Sequence, residues 1–568
     1  MKLSRNATVV KFSRSAAVVL FSWTVFAQES YLAPMRDGVR LATDVYGAEA
    51  GKRKPVLLLR TPYDKKGGAT AAKRFAAAGY VAVVQDARGA FASEGRYFHH
   101  NNDDQDGFDT IEWLARQAWS NGKTGTWGGS HPGAVQWLAA GDRPYGLTVM
   151  APTAASPSLY YTAYVGGALR LALIGGAGPA ITKPPEGVKA PANLEPIYMK
   201  LPVAELDKAI GWDMPWLRGM VTHPWLDGFW TRQHASERVK GLDLPVQHIV
   251  GYYDFLCKET VASFQRMRKY SSTERAKANQ QLILGPWDHG TVGKSVVAGF
   301  DFGDAAKLDV VDENLRWFDR FMKDGGPGTF PRVRYFVVGR NEWRTAPDWP
   351  PPGAVETSFY LQAERRLTAV RAVREAADSF VSDPANPVPV EPRGGEPMPR
   401  SSMFRPVNRR VIEERKDVIV YTADPRSKEL VVAGNPRAEL WVSVDAQDAD
   451  YAVKLVDVWP DGAAYPVAEG VLRLTHRDGD AKAAEVTPDK VYRITVDLGH
   501  TAFSLAAGHA LRVEIAGSYF PAYDRNPHTG EGPFSKTEKM ANQRIFHGPV
   551  KASRVVIPVA PYSNVRSR

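Results

Sequence analysis

The stretch "TGTWGGSHPGAVQWLAAG", residues 124–141, decides how the chain is read. Its first part is a short run ending in glycines, of the kind that forms a buried strand, and the part after Pro132 is helix-forming. Ser130 therefore falls on a strand-to-helix turn. A serine nucleophile on such a turn usually sits in G-x-S-x-G, where absent side chains let strand and helix approach closely. Here Gly128 lies two residues before the serine, but position 132 is Pro and the second glycine is delayed to Gly133. Pro132 falls in the first helical turn, where its missing N–H would have had no partner. The motif is a variant nucleophile turn. Taken alone it would be better read as an ordinary glycine-rich loop, so the decision rests on what lies around it.

Outward from this stretch, "PVLLLRTPYD", "YVAVVQDARG", "LTVMAP", "VQHIVGYYD" and "QLILGPWDH" are apolar runs ending in turn or polar residues, as in buried parallel strands. Helical patterns over 70–78, 105–119, 132–140 and 258–270 separate them. The alternation predicts a doubly wound α/β sheet with right-handed crossovers. It breaks from about Ser156 to Lys240, where Trp212, Trp216, Trp225 and Trp230 accompany helix-like stretches and no clear strand. That segment reads as a helical cap, its aromatic residues serving chiefly as packing. A helix with apolar residues at Val311, Leu315, Phe318 and Met322 should close the α/β part before the breaker cluster "DGGPGTFPR". Beyond it the period changes to two: "VRYFVVG", "ELWVSVDA", "YAVKLVDVWP", "YRITVDL", "LRVEIAG" and "ASRVVIPVA" predict an all-β sandwich, a jelly roll. "PANPVPVEPRGGEPMPR" reads as a surface loop.

An α/β sheet binds ligands at the carboxyl ends of its strands. Ser130, Asp254 and His289 each follow a strand run, in the order Ser, Asp, His expected of α/β-hydrolases. Ser130 would attack a carbonyl carbon, His289 would carry the proton, and Asp254 would orient the imidazole. The oxyanion needs two donors. The backbone N–H of His131 is one by position. Tyr63 in "RTPYDK" is placed for the second, although a backbone N–H is the commoner solution, so the residues alone leave it open. The predicted organisation is a leader over 1–27, an α/β-hydrolase domain in two parts (28–155 and 243–324), a cap insertion over 156–242 and a jelly-roll domain over 333–562.

Bulk properties agree with a folded enzyme and exclude other classes. The 568 residues exceed one core, and 44% hydrophobic content with 15 Trp argues against disorder. The net charge is +10, or +6 once Lys2, Arg5, Lys11 and Arg14 of the leader are set aside, with no dense basic run, so no nucleic-acid partner is expected. Those cations precede the apolar run Ala16–Ala27, a secretory signal too short for a comfortable membrane span. Its removal predicts a periplasmic or secreted protein with no stable membrane anchor, with an uncleaved anchor or a mis-assigned start as the alternatives. Cys257 is the only cysteine, which rules out an intrachain disulfide.

"PMRDGVRLATDVY", "RTPYDK", "VVQDARGAFASEGRY", "GTWGGSHPG", "GYYDF" and "GPWDHG" together resemble the cocaine-esterase / X-prolyl dipeptidyl-peptidase-like family of serine hydrolases. "AELWVSVDAQDADYAVKLVDVWPDG" and "SYFPAYDRNPHTGEG" are similar to that family's jelly-roll domain. The resemblance, spanning about Tyr31 to Val559, implies a triad of Ser130, Asp254 and His289 and makes Tyr63 the second oxyanion donor. Two departures stand out. The family usually has Tyr after the nucleophile where this chain has His131, which suggests a more polar acyl pocket. The α-amino-acid ester hydrolase branch has acidic residues two and three positions after its aspartate, where "FLCKE" has Leu256 and Cys257. An apolar loop cannot stabilise a buried ammonium, so an uncharged or aromatic acyl group is favoured.

Among weaker candidates, Asp86 and Arg88 read as a buried ion pair bracing the site loops. His99 and His100 with Asp103 and Asp104 could be drawn as a metal cluster, but the spacing matches no strong ligand pattern, and a solvated loop is the better reading. Leu256, Tyr160, Tyr161 and Trp216 are candidate pocket walls. The sequence thus predicts an exported hydrolase of a small-molecule ester or amide, working through an acyl-enzyme without metal or organic cofactor. An X-prolyl dipeptidyl-peptidase or β-lactam acylase-type amidase is the alternative within the class. From another class, a catalytically silent hydrolase fold could carry a carbohydrate- or partner-binding β domain. Natural substrate and oligomeric state stay open.

Overall fold

Strands buried on both faces need apolar side chains at every position, and the runs that lack a polar alternation do form the centre of one sheet. The computed structural model describes residues 28–182, 184–324, 328–392 and 404–561. The predicted signal over 1–27 and the end of the Pro-rich loop lie outside them. Strands β1 (Gln28–Pro34), β2 (Arg40–Tyr46), β3 (Lys54–Thr61), β4 (Val81–Asp86), β5 (Ser120–Gly129), β6 (Leu147–Thr153), β7 (Val246–Tyr253), β8 (Gln280–Asp288), β9 (Val333–Val337) and β10 (Glu342–Ala346) build a ten-stranded sheet. Its order is β1-β2-β4-β3-β5-β6-β7-β8-β9-β10. Pairing is parallel from β4 through β9, and the two edges are antiparallel.

Successive side chains of a strand alternate between faces. Leu57 and Leu59 accordingly pack with Phe75 of α1 (Ala69–Ala77) and Trp317, Phe318 and Met322 of α7 (Val310–Met322). Val56 and Leu58 turn the other way, toward Ile111 and Leu114 of α2 (Asp103–Ala115) and Ala139 of α3 (His131–Gly141). Further along that face, Met150 and Val246 pack with Trp137 and with Met267 of α6 (Cys257–Tyr270). The sheet is doubly wound, and all six strand runs that predicted it lie inside it.

The breaker at 324–332 does not end the sheet. "VRYFVVG" was expected in the β domain, but β9 continues the large sheet in parallel with β8, Leu282 opposite Val333, and β10 closes it as an antiparallel edge. Pairing partners are chosen by tertiary register, which a period-two pattern does not carry.

Between β6 and β7 the chain forms the cap, with α4 (Leu171–Ile181), α5 (Pro215–Thr222) and shorter helices. It holds a two-strand hairpin as well, Tyr164–Val165 against Ala168–Leu169, which the sequence did not suggest. Tyr160, Tyr164, Trp212, Trp216 and Trp230 share one core with Val390, Val471, Tyr519 and Phe520 of the C-terminal domain. That domain is mostly antiparallel: a nine-stranded and a four-stranded sheet face each other over Val432, Leu440, Tyr451, Val453, Val513 and Ile545. Among the described residues no helix is long and apolar enough to cross a membrane.

Candidate active site

The turn at Ser130 is strained in the way its sequence requires. Ser130 has φ 62° and ψ −126°, a conformation costing on the order of 1–3 kcal/mol for a residue with a Cβ. Its N–H donates to the Thr153 carbonyl (3.0 Å), and its own carbonyl accepts from Gly133 and Ala134 (2.9 Å each). A Cβ on Gly128, itself at φ 130°, would lie 2.6 Å from the Pro132 side chain, and one on Gly133 would lie 2.6 Å from Ala155. The delayed second glycine therefore serves a close approach at its own position. Gln136 ties the turn from below, accepting from Thr126 and donating to the Gly128 and Pro132 carbonyls.

Asp254 stands at the end of β7, its carboxylate fully enclosed. One oxygen accepts from the Leu256 N–H (2.8 Å), and the other is 2.9 Å from Nδ1 of His289 at the end of β8. The His289 ring packs against Phe255, 4.4 Å between centroids. Burial penalises the imidazolium, but the Asp254 carboxylate outweighs it and raises the His289 pKa above the ordinary 6.5. The bond to Nδ1 leaves Nε2 as the ring nitrogen turned away from Asp254.

Tyr63 lies on the loop after β3, half exposed, its N–H bonded to Thr61 Oγ1 (3.0 Å). This loop is held by Asp86, whose carboxylate accepts from the Lys65 N–H (2.7 Å), while Lys65 Nζ reaches Asp44 of β2 (2.8 Å). The expected Asp86–Arg88 pair is not formed. Arg88 instead bridges Asp106 (2.6 Å) and Asp37 (2.7 Å), because its side chain leaves the strand end toward α2. Both residues still brace loops around the site.

Ser130, His289 and Tyr63 line one cavity of about 1670 Å³ beneath α4 and α5. Phe91, Leu173, Ile181, Met214, Trp216 and Val292 make its apolar wall. Of the four wall candidates, Trp216 is there. Tyr160 and Tyr161 are not: Tyr160 is buried in the cap core with its hydroxyl on the Pro224 carbonyl, and Tyr161 packs on Tyr160 and His234. Leu256 is buried at the start of α6, and its recognisable task is the N–H to Asp254. The wall residues Phe91, Leu173 and Met214 gave no sequence signal, since apolar residues in loops and cap helices are read as packing. The neighbouring loop residue Tyr97 also lines the cavity, its hydroxyl 2.6 Å from His99 Nδ1.

The expectation of a solvated loop at His99–Asp104 is overturned: His99, His100, Asp103 and Asp104 are all buried. His131 joins them rather than polarising the cavity wall. Its ring stacks on His100 (4.0 Å, 17°) and meets His99 edge-on at 5.1 Å, while His99 stacks on Trp216 at 5.3 Å. Burial holds both His99 and His131 well below the ordinary histidine pKa. Asp103 is enclosed too, but His100 and Arg60 (3.2 Å) hold it in the ionised form. The polar groups are buried because they face one another, and two of the partners, Arg60 and His131, come from distant parts of the sequence.

Compared with known proteins, residues 37–291 match the X-Pro dipeptidyl-peptidase (S15) family, and residues 328–556 match the X-Pro dipeptidyl-peptidase C-terminal non-catalytic domain. The latter boundary assigns β9 and β10 to the second domain, although they hydrogen-bond into the first domain's sheet. Cocaine esterase of Rhodococcus sp. (strain MB1 Bresler) is 34% identical over 573 residues, covering 93% of this chain and 97% of that protein. Among solved structures, an aminopeptidase from a marine sediment archaeon (Thaumarchaeota archaeon) superposes with TM-score 0.83 at 25% identity, covering 98% of this chain and 99% of the other. An α-amino acid ester hydrolase also gives 0.83, at 26% identity, over 94% of this chain and 96% of that one.

Proposed function

Because the chain belongs to the X-Pro dipeptidyl-peptidase (S15) family and is a serine ester hydrolase, we propose that it cleaves small-molecule carboxylic esters through an acyl-enzyme on Ser130. The observation that carries this reading is one cavity lined by Ser130, Tyr63 and His289, with Asp254 behind the imidazole at 2.9 Å. Ser130 Oγ attacks the carbonyl carbon while His289 Nε2 takes its proton. Asp254 holds the Nδ1–H tautomer and stabilises the imidazolium. The oxyanion receives the Tyr63 hydroxyl and the His131 backbone N–H. Collapse expels the alcohol with the proton from His289, and water repeats the sequence to free the acid.

The wall of Phe91, Leu173, Ile181, Met214 and Trp216 favours a bulky apolar acyl group. An α-ammonium would find no carboxylate at positions 256 and 257, and Asp213, on the cavity rim, is already paired with Arg218 (2.6 Å). The leader supports export, with cleavage after Ala27. Amide cleavage on the same residues is the second reading, favoured by the likeness to an aminopeptidase. Turnover of an aryl ester against its matched anilide separates the two. Ser130→Ala should lower kcat/KM on p-nitrophenyl butyrate by roughly 10,000-fold or more. Hydrolysis that survives the substitution would overturn the assignment.

A further inference from the structure

We propose that His99, His100 and His131 bind a divalent transition-metal ion of the zinc class behind the nucleophile turn. Three imidazoles from two distant segments meet there, with one ligand nitrogen from each within 4.8 Å of the others. All three residues are at least nine-tenths buried. Among the described residues neither ring nitrogen of His131 has a hydrogen-bond partner, and His100 Nδ1 faces the Asp103 carboxylate at 3.3 Å without a well-directed hydrogen bond. Buried imidazole nitrogens ordinarily have one, so the cluster lacks the group that would satisfy it.

The donor set selects the ligand. Neutral imidazoles suit zinc, copper, nickel or iron(II), whereas calcium and magnesium take oxygen. Tyr97 occupies His99 Nδ1 and so leaves Nε2 to coordinate, which is how an outer hydroxyl fixes the tautomer of a metal-binding ring. The Asp103 carboxylate stands 3.3 Å from His100 Nδ1 and 3.7 Å from His131 Nε2, supplying negative charge within reach of the fourth position. Bonds of roughly 2.0–2.1 Å in a tetrahedral site require the nitrogens to draw together by on the order of 1 Å. The near-parallel rings of His100 and His131 would fan apart as they do so. Arg60 beside Asp103 is the opposing charge and sets a ceiling on affinity.

An ion here would fasten the 97–103 loop to the first turn of α3, whose leading N–H belongs to His131. It would stiffen the floor of the site without touching the reacting atoms, and it stands whether or not Ser130 is the nucleophile.

The test uses the full chain without a histidine tag, stripped with chelator and titrated with Zn²⁺ and, separately, Co²⁺. The expected results are about one ion per chain after dialysis, a visible ligand-field band from Co²⁺, and a higher melting temperature. His131→Gln and His99→Gln should each weaken Zn²⁺ binding by at least about 10- to 100-fold, since even outer-shell losses do that. His223→Gln, a histidine outside this cluster, should not. No Co²⁺ band and no metal above buffer background in the unsubstituted chain would overturn the proposal, even if the variants fail to fold. So would Zn²⁺ binding that both substitutions leave unchanged.

Discussion

Ser130 and His131 are consecutive residues whose side chains diverge from one turn into regions built on opposite plans. Ser130 opens into a large cavity with an apolar wall, where His289, Tyr63 and Tyr97 are among the polar side chains and Asp254 stands behind the imidazole. His131 enters a closed cluster of imidazoles, Asp103 and Arg60 with little room for solvent. A sharp strand-to-helix turn sends adjacent side chains into different surroundings. On the proposed mechanism the cavity-side groups meet charge that develops during reaction, so their loss should appear in rate. On the rear side charges are already matched, so their loss should appear in stability.

The largest effect should come from Asp254→Asn, which removes the acceptor for His289 Nδ1–H. It should lower kcat by about 10,000-fold, while circular dichroism shows an intact fold. A loss below tenfold would erase the distinction between the two sides. Asp103→Asn should do the reverse. Leaving Arg60 in the interior with only the more distant Asp106 (3.9 Å) should destabilise the chain by up to about 3–5 kcal/mol in denaturant titration, with a far smaller loss of rate than Asp254→Asn. Tyr63→Phe comes next, at about 100- to 1000-fold in kcat with KM little changed, because the hydroxyl is needed for the oxyanion more than for the bound ester.

The smallest effect concerns pH. As the proposed base, His289 works only when neutral, so activity should be lost as pH falls through its pKa. Asp254 raises that pKa, and the acid limb of kcat/KM should therefore have its midpoint above 6.5. In Asp254→Asn only the weaker pull of Asp288 still opposes burial, and the midpoint of whatever activity remains should move down. A limb that does not move would mean that another group controls it.

The cavity side was largely legible in the sequence, and the rear was not. Ser130, Asp254 and His289 each follow an apolar run, and a parallel sheet delivers the ends of its strands to one rim. Topology does that work, so the reading needs only chain order. "HHNNDD" at 99–104 is polar in every position and reads as solvated, yet its histidines and aspartates are buried because Arg60, His131, Arg232 and Arg238 supply partners from elsewhere in the chain. Local composition cannot register such pairings. The same limit explains β9, whose pattern identifies a strand but not its sheet, and Tyr160 and Tyr161, whose aromatic character says nothing about which side of the cap they face.

The central claim is that the Ser130 hydroxyl is the reacting group, and labelling with a fluorophosphonate followed by peptide mass mapping tests it most directly. A single adduct is expected on the peptide containing Ser130, formed in step with loss of esterase activity and strongly slowed by His289→Gln. An adduct on another serine that accompanies inactivation, or full inactivation with the Ser130 peptide unmodified, would contradict it.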